Sequence, residues 1–329
     1  MLKIFEVTFP FFALVLVGWA VARRGWLALE AIPALNVFVL YFALPCLLFR
    51  FAAATPIARL FDPTVFGSWL GCALAMVALA MALTRRGRIG WNDAAFGALV
   101  AAFSNSGFMG VPLLVDLLGE RAAAPAIVTL TVDMVITSSL CIALSRLDGA
   151  GDHGVPRALL TVFKGMATNP LPWSIAAGCV VSATGLALPH VVMKPITMLA
   201  DAASPTALFT LGVVLARAQR LAAGAGSARD SASGLARRSD VPLIVALKLL
   251  AHPLLVFGVL QTVTALGAPL DPFTASVMVL VAALPSASNV PMLAERYGAD
   301  AGRIAQIVLF TTALAFLTFT GTVALTVPR

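Results

Sequence analysis

The chain has 329 residues, of which 60% are hydrophobic and only 11% charged, and its mean hydropathy of +0.97 lies far above what a soluble globular domain carries. The formal charge of +7 is scattered over short connections rather than gathered in a patch, which argues against a nucleic-acid partner and makes the lipid bilayer the surrounding solvent. The composition is that of an all-α, polytopic membrane protein.

Apolar stretches of about 20 residues, the length that crosses roughly 30 Å of hydrocarbon, recur ten times. In the first half they cover 4–22, 33–54, 64–84, 95–118 and 123–145, and in the second 167–187, 194–216, 241–266, 273–297 and 302–327. The first contains Ala20-Val21-Ala22, which imitates a signal-cleavage site, but Arg23 and Arg24 follow at once and oppose translocation, so it reads as a retained helix. Lys and Arg favour the odd-numbered connections, fifteen against six elsewhere, and this bias places both termini outside, periplasmic if the membrane is a bacterial inner membrane. Cys46, Cys72, Cys141 and Cys179 lie inside apolar spans without CxxC spacing and read as small packing residues. His153, His190 and His252 are too dispersed to suggest a metal site.

Two sequence matches divide the chain into repeats. The second span carries Ala43-Leu44-Pro45-Cys46-Leu47-Leu48-Phe49 and the seventh Ala203-Ser204-Pro205-Thr206-Ala207-Leu208-Phe209. The fourth carries Val111-Pro112-Leu113-Leu114 and the ninth Val290-Pro291-Met292-Leu293, each followed by a Gly seven residues after the Pro, at Gly119 and Gly298. Because five is odd, two five-helix copies in succession lie with opposite orientation, an inverted-topology repeat of the kind built into secondary transporters. The expected organisation is residues 1–145, a cytoplasmic connection over 146–166, and residues 167–329, with a flexible loop over 217–240 that is rich in Gly, Ala, Ser and Arg.

Spans four and nine are interrupted near their middles, by FSNSGFMGVP over 103–112 and by LPSASNVP over 284–291. An interior Pro costs a helix about 3 kcal/mol, and broken backbone at membrane depth survives only against protein or a water-filled cavity. The two breaks are therefore expected to cross, with half-helices starting near Pro112 and Pro291 aiming N–H groups at one spot suited to an anion. Candidate ligand contacts there are Ser104, Asn105, Ser106 and Gly107 with Pro112, and Pro285, Ser286, Ser288 and Asn289 with Pro291. The alternative is that the two Asn side chains only satisfy backbone freed by Pro. Among ionisable residues within spans, Asp133 lies near Thr129, Thr131 and Thr137; it is a candidate for Na⁺ binding with Ser104 or Asn105, or for carrying a coupling proton. Lys248 is a candidate partner of Asp133, as an ion-coupling or a purely structural pair, and Glu6 and Arg50 are expected to snorkel from span ends.

The order of spans and the segments NVFVLYFALPCLLF (Asn36 to Phe49), FSNSGFMGVPLL and LPSASNVPMLAERYG resemble the auxin efflux carrier family over nearly the whole chain. That family includes bacterial malonate and malate carriers and the plant PIN proteins. The resemblance implies a ten-helix fold with crossed broken helices four and nine, similar to bile-acid symporters and sodium/proton antiporters. It also implies a dimerising scaffold of spans one, two, six and seven, whose wall would include Pro45, Asp201 and Pro205, and a mobile transport domain of spans three to five and eight to ten. Carboxylate substrate would then lie beside Asn105 and Asn289. The large loop of the plant members has no counterpart here. The expectation is a homodimeric carrier of small organic anions, malonate-like or malate-like, with H⁺ or Na⁺ as coupling ion and no other cofactor. The rivals are a ligand sensor without flux, a carrier of an aromatic monocarboxylate, a channel and an intramembrane enzyme. The spans contain no HExxH or GxSxG, and nothing resembles an ATP site.

Overall fold

The structure, a computed structural model, describes residues 2–56, 62–86, 89–146, 170–229, 240–268 and 270–326. The connection over 147–166, residues 230–239 of the expected loop, and the basic residues Arg59, Arg88, Arg157, Lys164, Arg237, Arg238 and Arg329 lie outside the described residues. Within them every element is helical. Six stretches are long and apolar enough to cross a membrane: Leu29–Ala54, Pro63–Arg85, Glu120–Ser145, His190–Arg217, Val241–Ala265 and Ala301–Thr326.

In chain order the helices are α1 (Leu2–Arg23), α2 (Ile32–Phe38), α3 (Leu44–Ala54), α4 (Pro63–Arg86), α5 (Trp91–Ala102), α6 (Val111–Leu118), α7 (Ala123–Val132) and α8 (Ser138–Ser145), followed in the second half by α9 (Pro170–Thr184), α10 (His190–Arg229), α11 (Val241–Ala246), α12 (His252–Ala265), α13 (Pro272–Ala283), α14 (Val290–Arg296) and α15 (Ala301–Thr326). Four of the junctions are single wide π turns, at Val39–Ala43, Ser106–Gly110, Asp133–Thr137 and Leu247–Ala251. Helix α10 runs to Arg229, so residues 217–229, expected as loop, are helical. Their Ala, Arg, Gln and Leu are strong helix formers and outweigh the interspersed Gly and Ser.

Helix α1 packs along α10, and α9 along α3, with backbones in direct contact. A Cβ added at Gly18 would strike the Phe209 carbonyl, one at Gly212 the Val15 carbonyl, and one at Gly178 the Phe49 carbonyl and Ala52. Gly18 and Gly178 are 160 residues apart, as are Phe49 and Phe209, and Ala52 and Gly212. The same spacing separates Pro45 from Pro205, and the contact of Gly18 with Phe209 is repeated by that of Gly178 with Phe49. Small residues of this kind let helices approach closely where lipid supplies no hydrophobic drive.

The remaining helices enclose a core in which Trp69, Phe96, Leu99, Met109 and Phe319 are fully buried. One end of it is fixed by Arg303, whose Nε donates to Asp240 at 2.6 Å and whose Nη1 donates to the Asp93 carbonyl at 2.8 Å. This arginine joins α5, α11 and α15 over Gly97, where a Cβ would collide with the guanidinium.

Substitution of Gly18 or Gly212 by Leu is expected to lower the unfolding temperature of the detergent-solubilised protein. Overpacking costs about 1–3 kcal/mol where side chains can yield, and here the obstacle is backbone. Gly258→Leu, at an exposed helical position with nothing within 4 Å, is expected to leave the unfolding temperature unchanged or raise it.

Candidate functional site

The breaks expected in spans four and nine are present and in contact. Helix α5 stops at Ala102 and α13 at Ala283, and two short extended pieces run antiparallel past each other with Ser104 opposite Ser286. The Asn105 N–H donates to the Pro285 carbonyl at 2.9 Å and the Ala287 N–H to the Phe103 carbonyl at 3.0 Å. The Ser286 hydroxyl donates to the Val100 carbonyl at 2.7 Å, and the Ser286 N–H donates to Thr311 Oγ1 of α15 at 3.3 Å. Each break thus repairs the other's backbone, which in hydrocarbon would cost several kcal/mol per unsatisfied group. Gly110 permits the approach, since a Cβ there would lie 2.5 Å from Leu284 Cδ1.

The details depart from the expectation in two ways. The second half of span four restarts at Ser106 through a wide turn, with the N–H groups of Met109 and Gly110 donating to the Asn105 carbonyl, not near Pro112. Pro291 sits in the first turn of α14, where a missing N–H costs nothing, whereas Pro112 lies inside the winding that began at Ser106, directly after its wide turn. Moreover, the amides of Asn105 and Ala287 are consumed by the pairing rather than left open. Asn105 is buried and its Nδ2 has no hydrogen-bond partner among the described residues. Ser106 Oγ donates to the Ser104 carbonyl at 3.3 Å, and Gly107 lies against Leu44 and Leu130.

Beside the crossing is a sealed polar cluster. Asp133 Oδ1 accepts from Trp69 Nε1 at 3.0 Å and Thr137 Oγ1 at 3.2 Å, while Oδ2 has no partner among the described residues. Lys248 Nζ donates to Ser104 Oγ at 2.6 Å and lies 2.9 Å from His252 Nδ1. That nitrogen then acts as acceptor, which puts the imidazole proton on Nε2, an atom with no recorded partner among the described residues. The His252 and Trp69 rings are 5.5 Å apart. Asp133 and Lys248 form no direct ion pair; Lys248 rests on the Ser104 hydroxyl, while Asp133 is held by Trp69 and Thr137. Asp133 opens one wide turn and Lys248 lies in another. Such turns recur at functional sites because the extra residue shifts side chains out of helical register.

Two sequence expectations change here, and two residues join the cluster unforeseen. Thr129 Oγ1 donates to Ala126 O of its own helix at 2.9 Å and takes no part in the cluster. The Ser104 hydroxyl, expected as a Na⁺ ligand, is engaged by the Lys248 ammonium, and among the described residues no group of three or more His, Cys, Asp or Glu could hold a metal. Trp69 and His252 were not anticipated. The four-residue spacing of Lys248 and His252, which puts them on one helix face, was a usable signal; nothing in the sequence pairs Trp69 with Asp133.

A cavity of about 610 Å³ opens on one side of the crossing, between α1, α3, α6 and α10, and reaches inward to Pro112. Asp201 and Pro205 line it; Pro45 does not. Arg50, expected to snorkel, instead lies in this wall with Nη1 donating to Asp201 Oδ1 at 2.5 Å. On the other side, Ser288, Asn289 and Met292 close against Asn36 and Phe108 around a cleft of only about 10 Å³, and Asn36 Nδ2 donates to Met292 Sδ at 3.3 Å. Asn36 and Arg50 occupy opposite ends of one span, so cavity and cleft lie on opposite sides of the crossing. Asn289 faces the cleft, whereas Asn105 is enclosed.

A family model described as "Membrane transport protein" matches residues 3–323. A protein of Rhizobium meliloti (strain 1021) named "Putative malonate transporter" is 30% identical over 326 residues, covering 98% of this chain and 95% of its own length. An uncharacterised transporter of Methanothermobacter thermautotrophicus is 26% identical over 317 residues, 95% of each chain. The uncharacterised transporter YfdV of Escherichia coli (strain K12) is 23% identical over 302 residues, 88% of this chain and 86% of its own. With a match running nearly from end to end, this chain belongs to the membrane transport protein family, which is the auxin efflux carrier family its motifs resemble.

Proposed function

We propose that this membrane transporter is a secondary-active carrier of small organic anions, malonate or a similar dicarboxylate, working by alternating access. The observation that carries the reading is the asymmetry about the crossing: a cavity of about 610 Å³ on one side and a cleft of about 10 Å³ on the other. A path open to one side at a time is what alternating access requires. In this reading spans one, two, six and seven are the scaffold, held by the glycine contacts of α1 with α10 and α9 with α3, and the remaining spans move against it as a unit. The repetition of those contacts at a constant separation of 160 residues supports two inverted five-helix repeats. Both termini then face the periplasm of a bacterial inner membrane, and two copies associate through their scaffolds. The name of the Rhizobium relative supports the choice of malonate as the first substrate to test.

Asn105 contributes its uncommitted amide to the substrate, and Asn289 does so when the opposite cleft opens. The coupling ion in this reading is a proton held by Asp133, Lys248 and His252. An ammonium already resting on Ser104 stands where Na⁺ would need an oxygen ligand, which argues against sodium coupling.

Purified protein in liposomes is expected to accumulate labelled malonate when a pH gradient is imposed and to ignore a Na⁺ gradient of the same size. Binding without uptake under every gradient would instead identify a sensor. Asp133→Asn is expected to retain malonate exchange while losing accumulation driven by the pH gradient; accumulation at the wild-type level would remove Asp133 from the coupling role. Asn105→Ala is expected to weaken malonate binding by about tenfold, in line with the roughly 1.5–3 kcal/mol of a hydrogen bond to a charged group. The malonate-induced rise in unfolding temperature reads this directly, and an undiminished rise would place the substrate elsewhere.

A further inference from the structure

The wall of the open cavity carries four ionisable side chains, Arg50, Asp116, Glu120 and Asp201. Arg50 is the only cation among the described wall residues. A guanidinium has five N–H donors in a planar fork, and the Asp201 contact uses Nη1, so an edge remains that matches a carboxylate. The group also lies over the Phe51 ring, 5.4 Å from its centroid. Both partners are wetted, with side-chain exposures of 29% for Arg50 and 63% for Asp201. Ion pairs of this exposure contribute little net stability, so exchanging Asp201 for an incoming carboxylate is nearly neutral. Asp116 and Glu120, on the wall formed by the fourth and fifth spans, have no ion-pair partner among the described residues. The wall as a whole therefore bears more negative than positive charge, and each further negative charge on a ligand is penalised.

We propose that Arg50 is the carboxylate receptor of this cavity, with Asp201 as a built-in competitor, and that Asp116 and Glu120 restrict it to anions of single charge. A dicarboxylic acid would then be taken as its half-protonated form. The assignment rests on the organic-anion reading above and adds the recognising group and the charge state of the ligand.

Calorimetric binding of malonate to the full-length protein in detergent tests this without requiring transport. A protein that binds malonate as described but does not move it would overturn the carrier reading and leave Arg50 in place. Arg50→Gln is expected to weaken malonate binding about tenfold, the scale of one lost charge-assisted contact, with partial rescue by Arg50→Lys. Asp201→Asn is expected to tighten it about two- to threefold, because an exposed competing pair is worth little, while the unfolding temperature of the ligand-free protein stays the same. Malonate affinity is expected to fall as pH rises through its second ionisation. Acetate, followed over the pH values at which it is fully ionised, serves as the control for titration of Asp116, Glu120 and Asp201 themselves, and Asp116→Asn with Glu120→Gln is expected to flatten the malonate dependence. Equal weakening by the Arg50 and Asp201 variants would show a structural ion pair and overturn the proposal, as would unchanged affinity in Arg50→Gln, no malonate binding by the wild type, or malonate and acetate following the same pH curve.

Discussion

Backbone hydrogen bonding without water is the constraint from which this architecture follows. Two helices are interrupted in the interior, and neither interruption could persist alone at that depth. They persist because Asn105 donates to Pro285 and Ala287 to Phe103, so that each extended piece is the other's solvent. Pro285, which has no N–H to offer, contributes only the carbonyl that the pairing needs. The breaks must therefore form together, and everything built around them inherits a fixed centre.

Around that centre the polar groups divide into those consumed by structure and those left over. The hydroxyl of Ser286, the hydroxyl of Thr311 and the amides of the crossing are consumed. Asn105 Nδ2, Asp133 Oδ2 and His252 Nε2 are left over, all buried. Uncommitted buried polar atoms are costly to keep, and these three lie at the crossing and in the polar cluster beside it. Ser104 links the crossing to this cluster, since it belongs to the extended piece and also receives Lys248.

Much of this was legible before any coordinates. Ser, Asn, Gly and Pro inside apolar runs announce a break, because a membrane helix has no other use for them together. The helical class and most helix limits followed from hydropathy, and the family from the resemblance of three segments. What was missed has physical causes. Trp69 and Asp133 are 64 residues apart, and only the packing of α4 on α7 brings them together. Arg50 lies near a span end, where a basic residue ordinarily reaches for water, and only the cavity reveals a carboxylate within its reach. The restart at Ser106 was hidden because Pro112, the evident marker, lies inside the restarted winding, just past its wide turn, rather than at its start.

The wide turns at Ser106–Gly110, Asp133–Thr137 and Leu247–Ala251 each amount to one residue more than regular winding would use. Such an insertion changes the local phase by about 100° while the flanking helices keep their places. A single-codon gain or loss at any of them would thus re-aim one interior side chain without rebuilding the frame. The three places are where the interior of this fold can be altered with least disturbance to its helices.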